Sequence, residues 1–248
     1  MKKVLMVLMG LEIGGAETHV VGLSLTLQQR GWEVVVASNG GVYEKKLEEH
    51  GIRHYQIPAN TRAPGDMRRS YVGLRRIIEL ERPDVVHAHA RIPAFLCGIL
   101  QRKMGFPFVT TAHWVFRVNP VLRLLTDWGQ QTVAVSEDIR EYLIRYYDLP
   151  AGQIHTTVNG IDTDEFSPAV SGAEIRREFQ IPVDATVVTC VTRLHESRAK
   201  SAELLLACAP SLAKKVPAVR MLIVGDGERM KELQHRAKRI NDTLGYPL

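Results

Sequence analysis

Three histidines at the ends of apolar runs are the residues in this sequence best placed to do chemistry. His87 and His89 lie in Val85-Val86-His87-Ala88-His89, and His113 lies in Thr110-Thr111-Ala112-His113-Trp114. A neutral imidazole can move a proton, hold a hydroxyl group or ligate a metal. Metal ligation is open for His87 and His89, but no acidic partner lies nearby in sequence, so packing or hydrogen bonding is the preferred role for both. His113 directly follows a strand and is expected to face a ligand cleft, because ligands of open α/β sheets gather outside the carboxyl ends of the strands.

Three further segments suit phosphate. Gly14-Gly15-Ala16-Glu17 follows the first apolar run and opens a helix, whose free N–H groups fit a phosphate or another anion. Its spacing is not G-x-G-x-x-G, which weakens a dinucleotide reading, and a tight turn between strand and helix explains it equally well. Thr192-Arg193-Leu194-His195-Glu196-Ser197-Arg198-Ala199-Lys200 puts cations at a strand-to-helix junction. Arg can grip phosphate oxygens there as a bidentate fork, although a charged helix start is the plainer account. Leu222-Ile223-Val224-Gly225-Asp226-Gly227-Glu228 is a strand, a two-glycine turn and a helix start, serving either as a compact turn or as the lining of a cleft.

The elements that must position these residues alternate in kind. Short Val/Leu/Ile runs separated by amphipathic stretches signal βαβ units and a mostly parallel sheet. Strands are predicted over residues 4–9, 33–38, 53–57, 85–88, 108–111, 132–135 and 154–158. Helices are predicted over 16–30, 43–50, 67–81, 93–104 and 121–127, with Gly31 a natural C-cap of the first. Ser136 is expected to cap a sixth helix, with Glu137 and Asp138 in its first turn where the dipole favours acids. Residues 162–168 read as a connector. A second cycle follows: helix 172–179, strand 185–191, helix 198–215, strand 219–224 and helix 228–241. Two strands bury a parallel sheet poorly, so this second lobe is expected to be the opening part of a larger domain.

Composition narrows the class. With 45% hydrophobic and 24% charged residues over 248, the chain is that of an ordinary globular protein. The net charge of +5 and pI of about 9.2 suit anionic partners without choosing among them. No aromatic-interleaved or Cys/His finger pattern accompanies that charge, and nucleic acid is set aside. Cys97, Cys190 and Cys208 lie far apart in apolar runs, the pattern of reduced, buried thiols rather than a disulfide or zinc framework. Residues 4–9 are too short for a signal sequence and meet Gly10 and Glu12, and no stretch approaches the ~20 apolar residues of a membrane span. A cytoplasmic protein is expected. The basic stretch 62–76 is read as a solvated helix face, with peripheral contact at the inner membrane face as its other use.

Taken in order, the segments resemble the family 4 glycosyltransferases, retaining enzymes of GT-B architecture with two facing Rossmann-like domains. Ile13-Gly14-Gly15-Ala16-Glu17 looks like the family's opening loop, Pro83-Asp84-Val85-Val86-His87-Ala88-His89 its central strand and Thr111-Ala112-His113 its T-x-H element. Val133-Ala134-Val135-Ser136-Glu137 and Val158-Asn159-Gly160-Ile161-Asp162-Thr163-Asp164-Glu165-Phe166 are similar to the close of its acceptor domain, the latter being the most distinctive match. Thr192-Arg193-Leu194 and Ile223-Val224-Gly225-Asp226-Gly227 complete the likeness.

The resemblance implies an α/β, GT-B-like fold, with an acceptor domain over 1–165 and the beginning of a donor domain over 166–248. It implies a nucleotide-diphosphate sugar as donor, a glycan or lipid as acceptor, no cofactor and no obligatory metal. Gly14 and Gly15 would approach the donor diphosphate or the acceptor, and His113 would hold a donor hydroxyl. Arg193 would neutralise the leaving diphosphate, together with Arg198 or Lys200. Gly225 and Gly227 would line the donor cleft, and closure of the two domains would assemble the site. The family's E-x7-E element has no counterpart here, so little transfer is expected from these 248 residues. The competing reading is a non-catalytic module that binds an acceptor or partner; a sugar-nucleotide epimerase or dehydrogenase would need a dinucleotide fingerprint that is absent.

Overall fold

The computed structural model describes residues 1–116, 118–195 and 199–248, which divide into two compact units, Met1–Ile161 and Asp162–Leu248. Arg198, one of the two alternatives for the second phosphate cation, lies outside the described residues.

The first unit is built on seven strands: β1 (Lys3–Val7), β2 (Glu33–Ser38), β3 (Arg53–Gln56), β4 (Val85–Ala88), β5 (Phe108–Ala112), β6 (Gln131–Ala134) and β7 (Ile154–Thr156). They form one sheet in the order β3-β2-β1-β4-β5-β6-β7, every pair parallel. The unbroken apolar runs of β1 and β2 follow from their central place, since a parallel sheet is covered on both faces. Side chains alternate between those faces. Leu5, Val7, Val35 and Ala37 pack against α3 (Pro64–Glu81) and α4 (Arg91–Met104) through Leu74, Ile77, Ile78 and Leu100. Val4, Met6, Val34 and Val36 pack against Val20 and Val21 of α1 (Gly15–Gln29) and Leu47 of α2 (Glu44–Glu49). A third cluster seats α6 (Glu137–Tyr147) on the β5–β7 end of the sheet through Ile139, Tyr142 and Leu143.

Local chemistry sets the helix ends. Ser136 Oγ accepts from the Ile139 amide at 3.3 Å, with Glu137 and Asp138 in the first turn of α6. In α5 (Pro120–Leu124), Asn119 Oδ1 accepts from the Leu122 amide at 2.7 Å. The third helix starts at Pro64, earlier than its apolar periodicity suggests, because proline at the first position supplies a helical φ. Where α3 gives way to β4, Glu81 accepts from Tyr55 at 2.5 Å and from Lys3 at 2.9 Å. Burial works to raise the pKa of Glu81, but the hydrogen bonds from Tyr55 and Lys3 outweigh it and hold the carboxyl below its ordinary value.

The second unit holds α7 (Ala173–Glu178), β8 (Thr186–Val191), α8 (Lys200–Lys215), β9 (Val219–Val224) and α9 (Met230–Leu244). Its sheet is the parallel pair β8-β9. Leu206 and Ala202 of α8 meet Leu233 of α9, and Arg229 binds Glu203 at 2.5 Å and Glu232 at 2.8 Å across the start of α9. The last helix runs three residues past its predicted end because Gly245, at φ 78°, provides the left-handed cap.

Two of the three thiols depart from the expected burial. Cys97 is buried, Cys190 is half-buried and Cys208 is exposed. The buried face of α8 is Ala202, Leu206, Ala209 and Ala213, at spacings of four, three and four, and Cys208 falls off that stripe although its neighbours in sequence are apolar.

Candidate functional site

The strand order places a switch point between β1 and β4, where the chain that has built outward through β2 and β3 returns to the other side of β1. Crevices form outside the carboxyl ends of strands at such points. Val7 pairs with Ala88 there, and the chain leaving β1 enters α1 at Gly15 while the chain leaving β4 carries His89. His113 follows the last residue of β5. Gly14 is in an extended conformation at the N-cap of α1, and a Cβ added to Gly15 would meet nothing within 4 Å, so the space beside this helix start is open to a ligand.

Four imidazoles converge on this end of the sheet. His89 Nδ1 lies 3.2 Å from His113 Nε2, and the His87 ring stacks on His89 with centroids 4.0 Å apart. His19 approaches His113 edge-on at 5.0 Å and His89 at 5.9 Å. His87 Nε2 bonds Thr111 Oγ1 at 2.7 Å, which fixes its ring. Burial disfavours the charged form of every member. It pushes His87 down to about 3 and His113 to about 4, with the neighbouring imidazoles adding to the effect, and it holds His89 well below its ordinary value. In His19 burial lowers the pKa against an opposing hydrogen bond to Asn159. The cluster is therefore neutral at pH 7, able to exchange hydrogen bonds with hydroxyl groups or to offer lone pairs.

Three of these four residues, His87, His89 and His113, were legible in the sequence, and His19 escaped it. His19 is one helical turn beyond Gly15, and that spacing from the glycine turn is the signal that could have found it. Arg91, the first residue of α4, also lies near this end of the sheet. Its guanidinium covers the Phe116 ring at 4.0 Å, and its Nη1 is buried without a hydrogen-bond partner.

The residues expected to meet phosphate in the second unit form a local group of their own. Arg193 is exposed in the loop after β8 and makes no ion pair among the described residues; Lys200, also exposed, is the first residue of α8. The Gly-Asp-Gly turn is zipped to the Arg193 loop: the Thr192 amide donates to Val224 O at 3.0 Å, the Leu194 amide to Asp226 O at 2.9 Å and the Arg229 amide to Leu194 O at 3.0 Å. Gly225 and Gly227 have φ of 156° and 153°. A Cβ on Gly225 would collide with the Thr192 carbonyl oxygen, and one on Gly227 would press on the Leu194 backbone. These glycines permit close backbone approach, so they shape the loop that presents Arg193.

A doubly wound α/β protein with a polar switch point is what fold and site define. The family model described as Glycosyltransferase Family 4 matches residues 13–165, and the chain belongs to that family. A gpi3 subunit of phosphatidylinositol N-acetylglucosaminyltransferase from Schizosaccharomyces pombe is 25% identical over 91% of this chain and 51% of its own length. A glycosyltransferase from Rickettsia africae ESF-5 has the same fold, with a TM-score of 0.83 at 20% identity over 98% of this chain and 66% of that one. Anabaena Alr3699/HepE, solved in complex with UDP, has a TM-score of 0.78 at 17% identity over 99% of this chain and 66% of that one. The α/β, GT-B-like fold class expected from the sequence is thus the one observed. The chain spans about half the length of the S. pombe relative.

Proposed function

We propose that this chain serves the transfer of a sugar from a nucleotide-diphosphate donor to a glycan or lipid acceptor, with retention of anomeric configuration. The observation that carries the reading is the neutral histidine group beside the open start of α1, at the switch point of a family 4 sheet. His113 holds a donor hydroxyl, and Gly14 and Gly15 admit the diphosphate or the acceptor to the helix start. Arg193, with Lys200 or Arg198, draws charge from the departing diphosphate, since cations positioned for developing charge are the main source of rate in such transfers. Gly225 and Gly227 line the donor side.

The UDP bound by HepE supports a nucleotide donor, and the lipid in the S. pombe relative's name supports a lipid acceptor. The exposed apolar side chains of Trp114, Val115, Phe116, Val121, Leu124 and Leu125 support a peripheral membrane contact on the first unit. No helix among the described residues is long and apolar enough to cross a membrane.

Calorimetric titration with a panel of nucleotide sugars, followed by NMR of any product's anomeric configuration, tests the reading. Binding of at least one nucleotide sugar is expected, with slow transfer, because the two-stranded sheet leaves Val191 and Val224 exposed. Failure to bind any member of the panel, or an inverted product, contradicts it; rapid turnover by this chain contradicts the expectation of slow transfer alone.

A further inference from the structure

We propose that His19, His89 and His113 form a binding site for a divalent transition-metal ion, with Zn²⁺ the best match. One nitrogen from each ring lies within 4.8 Å of the others, the only such grouping of His, Cys, Asp or Glu among the described residues. A tetrahedral zinc with Zn–N bonds of roughly 2.0–2.1 Å spaces its nitrogens about 3.3 Å apart. The His89 Nδ1 to His113 Nε2 distance of 3.2 Å already equals one edge of that tetrahedron. Closing the third ring onto the ion requires a shift of about 1.5 Å or less, within the reach of a side-chain rotation of His19 on the first turns of α1.

The donor set selects the class of ion. It is purely imidazole, which suits zinc, copper and nickel and is a poor match for magnesium or calcium, both of which want oxygen ligands. Ligation needs neutral rings, which burial already enforces at this site. His87 stands outside the ligand set, stacked on His89 and tied to Thr111, where it steadies the His89 ring. The three ligands come from α1, the end of β4 and the end of β5, so the folded sheet assembles the site and the sequence spacing conceals it. Three protein ligands leave a fourth position for a water.

Both readings draw on this histidine group and compete for His113, and they are tested by different measurements. The 248-residue chain, stripped with a chelator, is titrated with Co²⁺ and followed by visible absorption, then by competition with Zn²⁺. The expected result is one equivalent of Co²⁺ with the intense bands of a tetrahedral site, displaced by one equivalent of Zn²⁺. His19→Ala and His113→Asn should each weaken binding at least ~tenfold, as losing a ligand costs no less than losing an outer-sphere partner. His235→Ala, on exposed α9, should leave it unchanged. Circular dichroism confirms that each variant is folded, and the wild-type titration decides the matter even if one is not. Absence of stoichiometric Co²⁺ binding by the wild-type chain overturns the proposal, as does binding that survives both ligand variants or is lost with His235→Ala.

Discussion

His113 and its neighbours are neutral because burial costs an imidazolium more than it costs an imidazole, and that difference has a thermodynamic consequence. The folded chain binds these protons more weakly than the unfolded chain, whose histidines titrate near 6.5. Stability is then fully present above about pH 6.5 and declines on acidification across the window from 6.5 toward about 4 for His113 and about 3 for His87. For chelator-treated protein the urea midpoint should fall between pH 7 and pH 5, and His113→Asn should flatten that fall. A midpoint that rises on acidification would show the cluster to be charged in the folded state. At this scale the sequence was informative where a residue sat on a strand end: His89 and His113 could be placed because the apolar runs before them are unambiguous. His19 could not, because a helix assigned by its apolar periodicity says which residues face the core and nothing about what a half-buried polar residue in its first turn will meet across a sheet.

Among the elements, the β8–α8 loop and the β9–α9 turn act as one unit, held by three backbone hydrogen bonds and by two glycines that no side chain can replace without collision. Gly225→Ala forces both an unfavourable φ and a clash with Thr192 O, and should cost the second unit at least ~1 kcal/mol, read as a lower thermal midpoint. An unchanged midpoint would mean that the turn is not packed as described. The Gly-Asp-Gly signature was visible in the sequence, but its partner was not, since tight packing of one loop on another leaves no periodic trace. Strand existence was most legible at β1 and β2, which are continuous buried apolar runs, whereas β3 (Arg53–Gln56) carries no such run. Boundaries shifted where a single residue set them, as Pro64 does for α3 and Gly245 for α9. The exposed Cys208 shows the limit of reading an apolar stretch as buried: helical phase, rather than local composition, decides exposure.

For the whole molecule, the family model and the seven-stranded parallel sheet establish family and fold, while the surface bears on where the proposed transfer is done. The apolar side chains around Leu124, which is 86% exposed, form the exposed patch on which the proposed membrane contact rests. Co-sedimentation with vesicles containing anionic lipid should therefore be reduced by Leu124→Glu, and equal sedimentation of the variant would remove the membrane contact from the account. The central claim is chemical: that cations of the second unit receive the phosphates of a nucleotide donor. Its most direct measurement is the affinity of the chain for nucleoside diphosphates (UDP, GDP and ADP), compared between Arg193→Ala and a control, Lys214→Ala, on the exposed end of α8. Removing a charge-assisted contact to phosphate predicts a loss of roughly tenfold or more for Arg193→Ala with at least one of the three nucleotides, and none for Lys214→Ala. Arg193→Ala binding every nucleotide as tightly as the unmodified chain would contradict the claim.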